Sequence, residues 1–323
     1  MRVVVTGCAG FVGSHIAEAC LDRGDQVLGI DALTDYYDTD QKRANLVSLD
    51  RPGFEYVQAD LADGCHELIE GADAVFHQAG QPGVRASWRA NFDVYLSRNV
   101  LATQRLLDAA LDLAIPRIVY ASSSSVYGNA THYPVSETSL PRPFSPYGAT
   151  KLAAEHLCSL YAANFGLPVV SLRYFTVYGP RQRPDMATHR LIESALNGTP
   201  FPLFGSGEQV REFTFVSDIV AANLAAAAAD VAPGLVANLT GGSECSLNEL
   251  IATVGEVVGP PNIERHDPER GDVTRTSGTT DVARTALGWS PVVGLSEGVR
   301  AQAAWHRGRS GPAWPAPSSA TGN

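Results

Sequence analysis

Along the first half of the chain, short apolar, β-branched runs alternate with longer stretches whose apolar residues recur at helical spacing. That alternation predicts a parallel sheet with helices on both faces. The runs place strands at Arg2–Thr6, Gln26–Asp31, Phe54–Ala59, Ala74–His77, Ile118–Ser122 and Val169–Tyr174. Helical spacing covers Val12–Arg23, which Gly24 closes as a C-terminal cap. Two longer helices are expected over Asp93–Leu111 and Gly148–Phe165. Beyond about Gly179 the pattern loosens around Pro180, Pro184, Pro200 and Pro202, as in a smaller, loop-rich lobe hung on the sheet. Ala221–Ala229 reads as a small-residue helix, and Val236–Leu239 as a return of the chain to the sheet. The expected division is therefore a sheet domain over 1–179 with a return segment near 211–240. A second, discontinuous domain takes 180–210 and 241–307, and 308–323, rich in Pro, Ser, Gly and Ala, forms a disordered tail.

Composition narrows the classes. A chain of 323 residues, 45% of them apolar, can build a full core. The net charge of −10 and the lack of a basic stripe exclude nucleic acid as a partner. Cys8, Cys20, Cys65, Cys158 and Cys245 lie far apart, which suits scattered core thiols in a reducing compartment. Met1 leads into Val3-Val4-Val5, a run too short for a secretory segment, and no apolar run is long enough to cross a membrane. The expectation is a cytoplasmic protein without a membrane partner. Its eight histidines show no ligand spacing, so no metal is expected, and no GxSxG elbow points to a hydrolase.

Three local patterns carry chemistry. Gly7-Cys8-Ala9-Gly10-Phe11-Val12-Gly13 sits where the first strand turns into the first helix. Glycines there let the backbone approach a pyrophosphate, and the helix start offers free amides and partial positive charge. Asp31 ends the second strand, 18 residues after Gly13, where a carboxylate can accept both ribose hydroxyls and repel a 2′-phosphate. NAD is thus favoured over NADP, although Lys42 and Arg43 stand close by, and Asp60-Leu61 are placed to flank the adenine. The second pattern is Ser122-Ser123-Ser124-Ser125 after the fifth strand, on the ligand-binding side of a doubly wound sheet. The third is Tyr147 with Lys151. Lys42 and Lys151 are the only lysines in the chain. Positions i and i+4 share a helix face, so an ammonium at 151 can favour the ionised form of the phenol at 147.

With glycine turn, serine run and YxxxK together, the chain resembles the extended short-chain dehydrogenase/reductase family of sugar-nucleotide epimerases and dehydratases, up to about residue 305. The resemblance implies an α/β fold: a doubly wound parallel (Rossmann) sheet with a smaller, partly discontinuous C-terminal substrate domain. It implies NAD as cofactor, a UDP-sugar as substrate and a homodimer. By the family pattern Tyr147 is the general base, Lys151 lowers its pKa and holds the nicotinamide ribose, and Ser123 bonds the reacting hydroxyl. The same pattern sets Gly7, Gly10, Phe11, Val12, Gly13, Asp31, Lys42, Asp60 and Leu61 against the cofactor. It adds Gln78, Ala79, Gly80, Asn99, Ser122 and Tyr174 to that set.

Differences within the family point to the reaction. Dehydratases similar to this chain carry Asp-Glu after the catalytic hydroxyl, and UDP-glucuronate decarboxylases carry a glutamate at the second position. Here stand Ser124 and Ser125, so oxidation followed by return of hydride, an epimerisation, is the simpler outcome. The segment from Arg173 to Met186, with Thr176 where neutral epimerases typically have asparagine, is similar to UDP-glucuronate 4-epimerases, as is Gln81 to Arg85 with Pro82. Ser124, Ser125, Thr176 and Arg85 are suited to a sugar carboxylate. Arg211, Arg270 and Arg183 match diphosphate arginines, Asp272 suits the uridine ribose, and Phe204 falls where uracil is held. The competing readings are a neutral UDP-glucose/galactose-type 4-epimerase, a UDP-glucuronate decarboxylase and a non-catalytic NAD-binding regulator. The regulator is the weakest of them, because such proteins usually lack the tyrosine or lysine kept here.

Overall fold

The computed structural model describes residues 1–242, 244–267 and 273–308. The expected tail, and with it 309–323, lies almost wholly outside them. In chain order the elements are β1 (Arg2–Thr6), α1 (Phe11–Asp22), β2 (Gln26–Asp31), α2 (Thr39–Leu49), β3 (Phe54–Gln58), α3 (His66–Ile69) and β4 (Ala74–His77). Then α4 (Phe92–Tyr95) runs through a π-helical turn (Leu96–Leu101) into α5 (Ala102–Asp112), followed by β5 (Ile118–Ser123), α6 (Pro146–Phe165) and β6 (Val169–Tyr174). The remainder comprises β7 (Thr176–Tyr178), α7 (Ala187–Asn197), β8 (Phe201–Phe204), β9 (Val210–Phe215), α8 (Val216–Ala228) and β10 (Leu235–Leu239). After these come β11 (Glu244–Ser246), α9 (Leu247–Val257), β12 (Ile263–His266), α10 (Asp281–Leu287) and α11 (Leu295–Arg307).

Seven strands form one sheet in the order β10-β6-β5-β4-β1-β2-β3, all paired in parallel. Burial on both faces explains the near-continuous apolar strands, because side chains alternate along each one. Val3 and Val5 pack on the side of α1 and α8, and Val4 packs on the side of α5 and α6. The strand order reverses between β1 and β4, which opens a crevice beyond their carboxyl ends.

The expected loop-rich lobe is more regular than its prolines suggest. Strands β11, β9 and β7 form one small sheet, and β12 with β8 another. The prolines sit where a missing N–H costs little: Pro180 and Pro184 in the turn before α7, and Pro202 in a two-stranded pair. The chain enters the small sheets at Thr176, immediately after β6 ends at Tyr174, and β9 belongs there as well. Strand β10 joins the large sheet, and α8 and α10 pack against it. The apolar cluster under α1 and α8 continues through Leu191, Leu250 and Val299, so the two lobes share one core.

Candidate active site

The turn after β1 leaves no room for side chains. Gly7 has φ +70°, and a Cβ there would stand 2.8 Å from the Ala79 nitrogen. One on Gly13 would stand 2.1 Å from the Gly7 carbonyl oxygen. These glycines let α1 start against the backbone of β1 and β4. No side chain caps α1 at Gly10. Its first-turn amides therefore face the crevice uncapped, an arrangement that suits a phosphate. At the end of β2, the Asp31 carboxylate accepts hydrogen bonds from the Ala9 nitrogen (3.1 Å) and the Leu33 nitrogen (2.8 Å). Burial raises its pKa, and Lys42 with the two amides works against that rise. Lys42 turns its ammonium to the carbonyl and hydroxyl of Thr34 (2.7 and 3.1 Å) and lies over the Tyr37 ring.

Opposite the glycines stands the tyrosine of α6. Ser145 caps that helix by accepting from the Gly148 nitrogen (3.1 Å), with Pro146 in the first turn. A Cβ on Gly148 would stand 2.5 Å from the Ser125 carbonyl oxygen, so the helix start packs directly on the serine turn. That contact brings Tyr147 beside Ser123. The Ser123 hydroxyl accepts from the Ser125 nitrogen (3.1 Å), leaving its proton for the Tyr147 oxygen. Burial raises the Tyr147 pKa, while the Ser123 hydrogen bond and the positive charge of Arg183 pull it down. Arg183 is held by both carboxylate oxygens of Asp185 (3.0 and 3.1 Å).

Lys151 is arranged differently from the expected tuning of Tyr147. Its ammonium donates to the Ala121 carbonyl (2.5 Å) and lies 4.4 Å from the centroid of the Tyr120 ring. Burial lowers its pKa to about 8, with Cys158 and Glu155 opposing. The groups that stabilise the Tyr147 phenolate are thus Ser123 and Arg183, with Lys151 one turn further along the cleft wall.

Behind the cleft wall, buried polar groups fix these positions. Ser122 donates to Glu155 Oε2 (2.5 Å), and Arg173 holds both Glu155 oxygens (2.6 and 2.9 Å). Asn99, in the π-helical turn, accepts from the Gln81 nitrogen (2.7 Å) and donates to the Gln81 carbonyl (3.1 Å) and the Thr150 hydroxyl (3.0 Å). It ties the turn after β4 to α6. A π-turn in a long helix is a frequent mark of a functional site.

All the expected cofactor residues come together. Gly7, Gly10, Phe11, Val12, Gly13, Asp31, Lys42, Asp60 and Leu61 line one cleft with Gln78, Ala79, Gly80, Asn99, Ser122, Tyr147, Lys151 and Tyr174. Pro82 and Arg183 line it too. A second cavity gathers Arg85, Thr176, Phe204 and Arg211. There Arg85 lies over the Phe204 ring, 4.7 Å from its centroid. Ser123 at the cap, and Ser124 and Ser125 in the short 3₁₀ turn that follows it, line neither cavity. Arg270 and Asp272 lie outside the described residues. The sequence reading missed Thr34, Tyr36 and Tyr37 between β2 and α2, and Arg98 beside Asn99, all of which line the first cleft. The run Asp35-Tyr36-Tyr37-Asp38, following the strand that ends in Asp31, is the signal that marks it.

The comparisons with known proteins agree with this geometry. A UDP-glucuronic acid 4-epimerase from Bacillus cereus, solved with UDP-glucuronic acid and NAD, superposes with a TM-score of 0.91 at 38% identity, covering 95% of this chain and 99% of the other. The UDP-glucuronate 4-epimerase of Thermodesulfobacterium geofontis is 34% identical over 313 residues, 94% of this chain and 95% of the relative. An uncharacterized UDP-glucose epimerase of Bacillus subtilis is 39% identical over 313 residues, 94% of this chain and 98% of the relative. Since residues 3–239 also match the NAD dependent epimerase/dehydratase family, and the glycine turn, Asp31, Tyr147 and Lys151 line one cleft, the chain belongs to that family.

Proposed function

We propose that this protein is an NAD-dependent 4-epimerase that interconverts UDP-glucuronate and UDP-galacturonate through a transient 4-keto sugar. The observation that carries the reading is a phenol, hydrogen-bonded by a serine, on the wall of a cleft shaped for a dinucleotide. The fit rests on glycine backbone that a Cβ would fill and on the uncapped start of α1. The Asp31 carboxylate, steadied by two amides, suits ribose hydroxyls, and Lys42 is directed to Thr34, which supports NAD over its 2′-phosphate relative. When bound, NAD supplies an acceptor that takes a hydride from the sugar and gives it back.

The chain's own residues handle the proton. Tyr147 accepts it from the 4-hydroxyl, and the Ser123 proton stabilises the resulting charge on oxygen. Burial alone keeps the phenol protonated, so base function depends on positive charge nearby, which Arg183 contributes, while Lys151 on the same cleft wall suits the cofactor's ribose. Arg183, on the Tyr147 side, suits the reacting end of the sugar. Arg85, stacked on Phe204 with Arg211 close by, suits the nucleotide end. Ser124, Ser125 and Thr176 are short hydroxyl donors for the sugar carboxylate. A 4-keto uronate is a β-keto acid and loses CO₂ when its carboxylate aligns with the carbonyl, so the site must hold that group out of alignment.

A homodimer is supported by exposed apolar side chains on neighbouring helices: Phe92, Leu96 and Leu101 on the α4–α5 stretch, Leu160 and Phe165 on α6. A cytoplasmic setting is supported by five free, buried cysteines. No helix among the described residues is long and apolar enough to cross a membrane.

The test is to incubate the purified protein with UDP-glucuronate and, separately, UDP-glucose, and to analyse the sugar nucleotides. Galacturonate is expected without pentose, with glucuronate preferred. Ser125→Glu or Thr176→Ala should release CO₂ or lose turnover. Normal epimerisation by both variants with no pentose would mean that these residues do not hold the carboxylate.

A further inference from the structure

Away from the cleft, α7 and α11 bring three metal-competent side chains together: His189, Glu193 and His306. One donor atom from each lies within 4.8 Å of the others. We propose that this cluster is a binding site for a divalent transition ion of the zinc or nickel class, joining α7 to α11.

The argument begins with the buried His189. Its Nδ1 lies 2.8 Å from the Gln182 carbonyl oxygen, which can only accept, so Nδ1 carries the proton. The neutral ring therefore presents a lone pair at Nε2, and 3.3 Å from Nε2 stands Glu193 Oε1, another acceptor. Two acceptors at that range are held by a positive species, either a second ring proton or a cation. A proton answers for that pair alone. Beside the pair stands a second imidazole, His306, whose ring centroid is 4.4 Å from that of His189 at an interplanar angle of 72°. A metal ion uses all three. Ligand bonds of about 2.1 Å set neighbouring donors roughly 3–3.5 Å apart. His189 and Glu193 already stand at 3.3 Å, and the His306 donor lies within 4.8 Å of both.

The surroundings have the build of a ligand's support. A metal-bound imidazole usually donates its other N–H to a carbonyl, which fixes tautomer and ring plane. Here that carbonyl belongs to Gln182, fully buried and itself held on all sides. Its side chain donates to the Val177 carbonyl (3.0 Å) and accepts from the His189 backbone nitrogen (3.0 Å) and from Gln302 (2.8 Å). Gln302 in turn accepts from the Gly179 nitrogen (3.0 Å). Trp305 walls the site, with ring centroids 6.0 Å from His189 and 4.8 Å from His306. Two imidazoles and one carboxylate favour zinc, nickel or copper over calcium or magnesium, which prefer all-oxygen shells.

The probe is Ni²⁺, titrated by calorimetry into the full-length protein after chelator treatment, with Trp fluorescence followed in parallel. The expected result is one saturable equivalent per chain, partial quenching that is lost in Trp305→Phe, and a melting temperature that rises with the ion. Glu193→Gln and His306→Ala, each checked for wild-type secondary structure, should weaken binding by about tenfold or more. Glu193 is the milder substitution, and it keeps the test open should the histidine variant fold poorly. The proposal is overturned by affinity weaker than about 1 mM, or by binding and quenching that Glu193→Gln leaves unchanged. Either result assigns the cluster to a protonated His189 paired with Glu193.

Discussion

Replacing Lys151 with methionine removes a charge that the fold holds in the interior, where the residue is 6% exposed. Burial lowers its pKa from 10.5 to about 8, despite the opposing influence of Cys158 and Glu155. A lysine whose folded value lies below its unfolded value carries a folding penalty. The penalty is complete below about pH 8 and is relieved as the pH rises toward 10.5. At about 1.4 kcal/mol per pH unit, the full effect is roughly 3 kcal/mol. Substitution also removes the bond to Ala121, but differences between methionine and an uncharged lysine do not vary with pH. The slope is therefore the diagnostic. The assay is denaturant unfolding of both proteins, stripped of dinucleotide, between pH 7 and pH 10. Wild type should gain on Lys151→Met by about 1.4 kcal/mol per unit above pH 8, and the variant should lose turnover. Parallel pH profiles would refute the buried-charge reasoning.

Two further substitutions probe the scaffold. Gly13→Ala places a Cβ 2.1 Å from the Gly7 carbonyl oxygen, backbone that cannot rotate away. It should lower stability by at least ~1–3 kcal/mol and weaken NAD binding, and an unchanged melting temperature would contradict the packing. Glu155→Gln strips the partner from Arg173, which is 4% exposed, and should cost ~3–5 kcal/mol in chemical denaturation. Adding Arg173→Met should recover much of that loss, and no recovery would show that the ion pair is not the source.

The large sheet was legible because parallel strands buried on both faces write themselves as apolar runs, and the glycine turn because a Cβ has no room there. Strand limits for β1, β2, β4 and β6 coincide with the expectation. The helix expected over 93–111 exists, but its π-helical turn did not show, since one extra residue per turn barely disturbs apolar spacing. The smaller lobe was hard to read because its strands are three to six residues long, too short for periodicity. Long-range pairing decides where β7 and β9 lie. In the site, chain-local signals found Tyr147, Ser123 and Asp31. Electrostatics did not follow from spacing: the i,i+4 ammonium is held by Ala121, and the cation acting on Tyr147 comes from residue 183. The His189, Glu193 and His306 cluster was likewise invisible to ligand spacing, because one member comes from a distant helix.

The central claim is that one hydrogen leaves the sugar and returns to the same carbon while Tyr147 manages the proton. The direct measurement uses UDP-glucuronate carrying deuterium at C4, incubated in ordinary water with wild type and with Tyr147→Phe, and followed by mass spectrometry and NMR. The account predicts UDP-galacturonate that keeps its deuterium at C4, formed by wild type and almost abolished in the variant. Loss of the label to solvent, or undiminished turnover without the phenol, would contradict it.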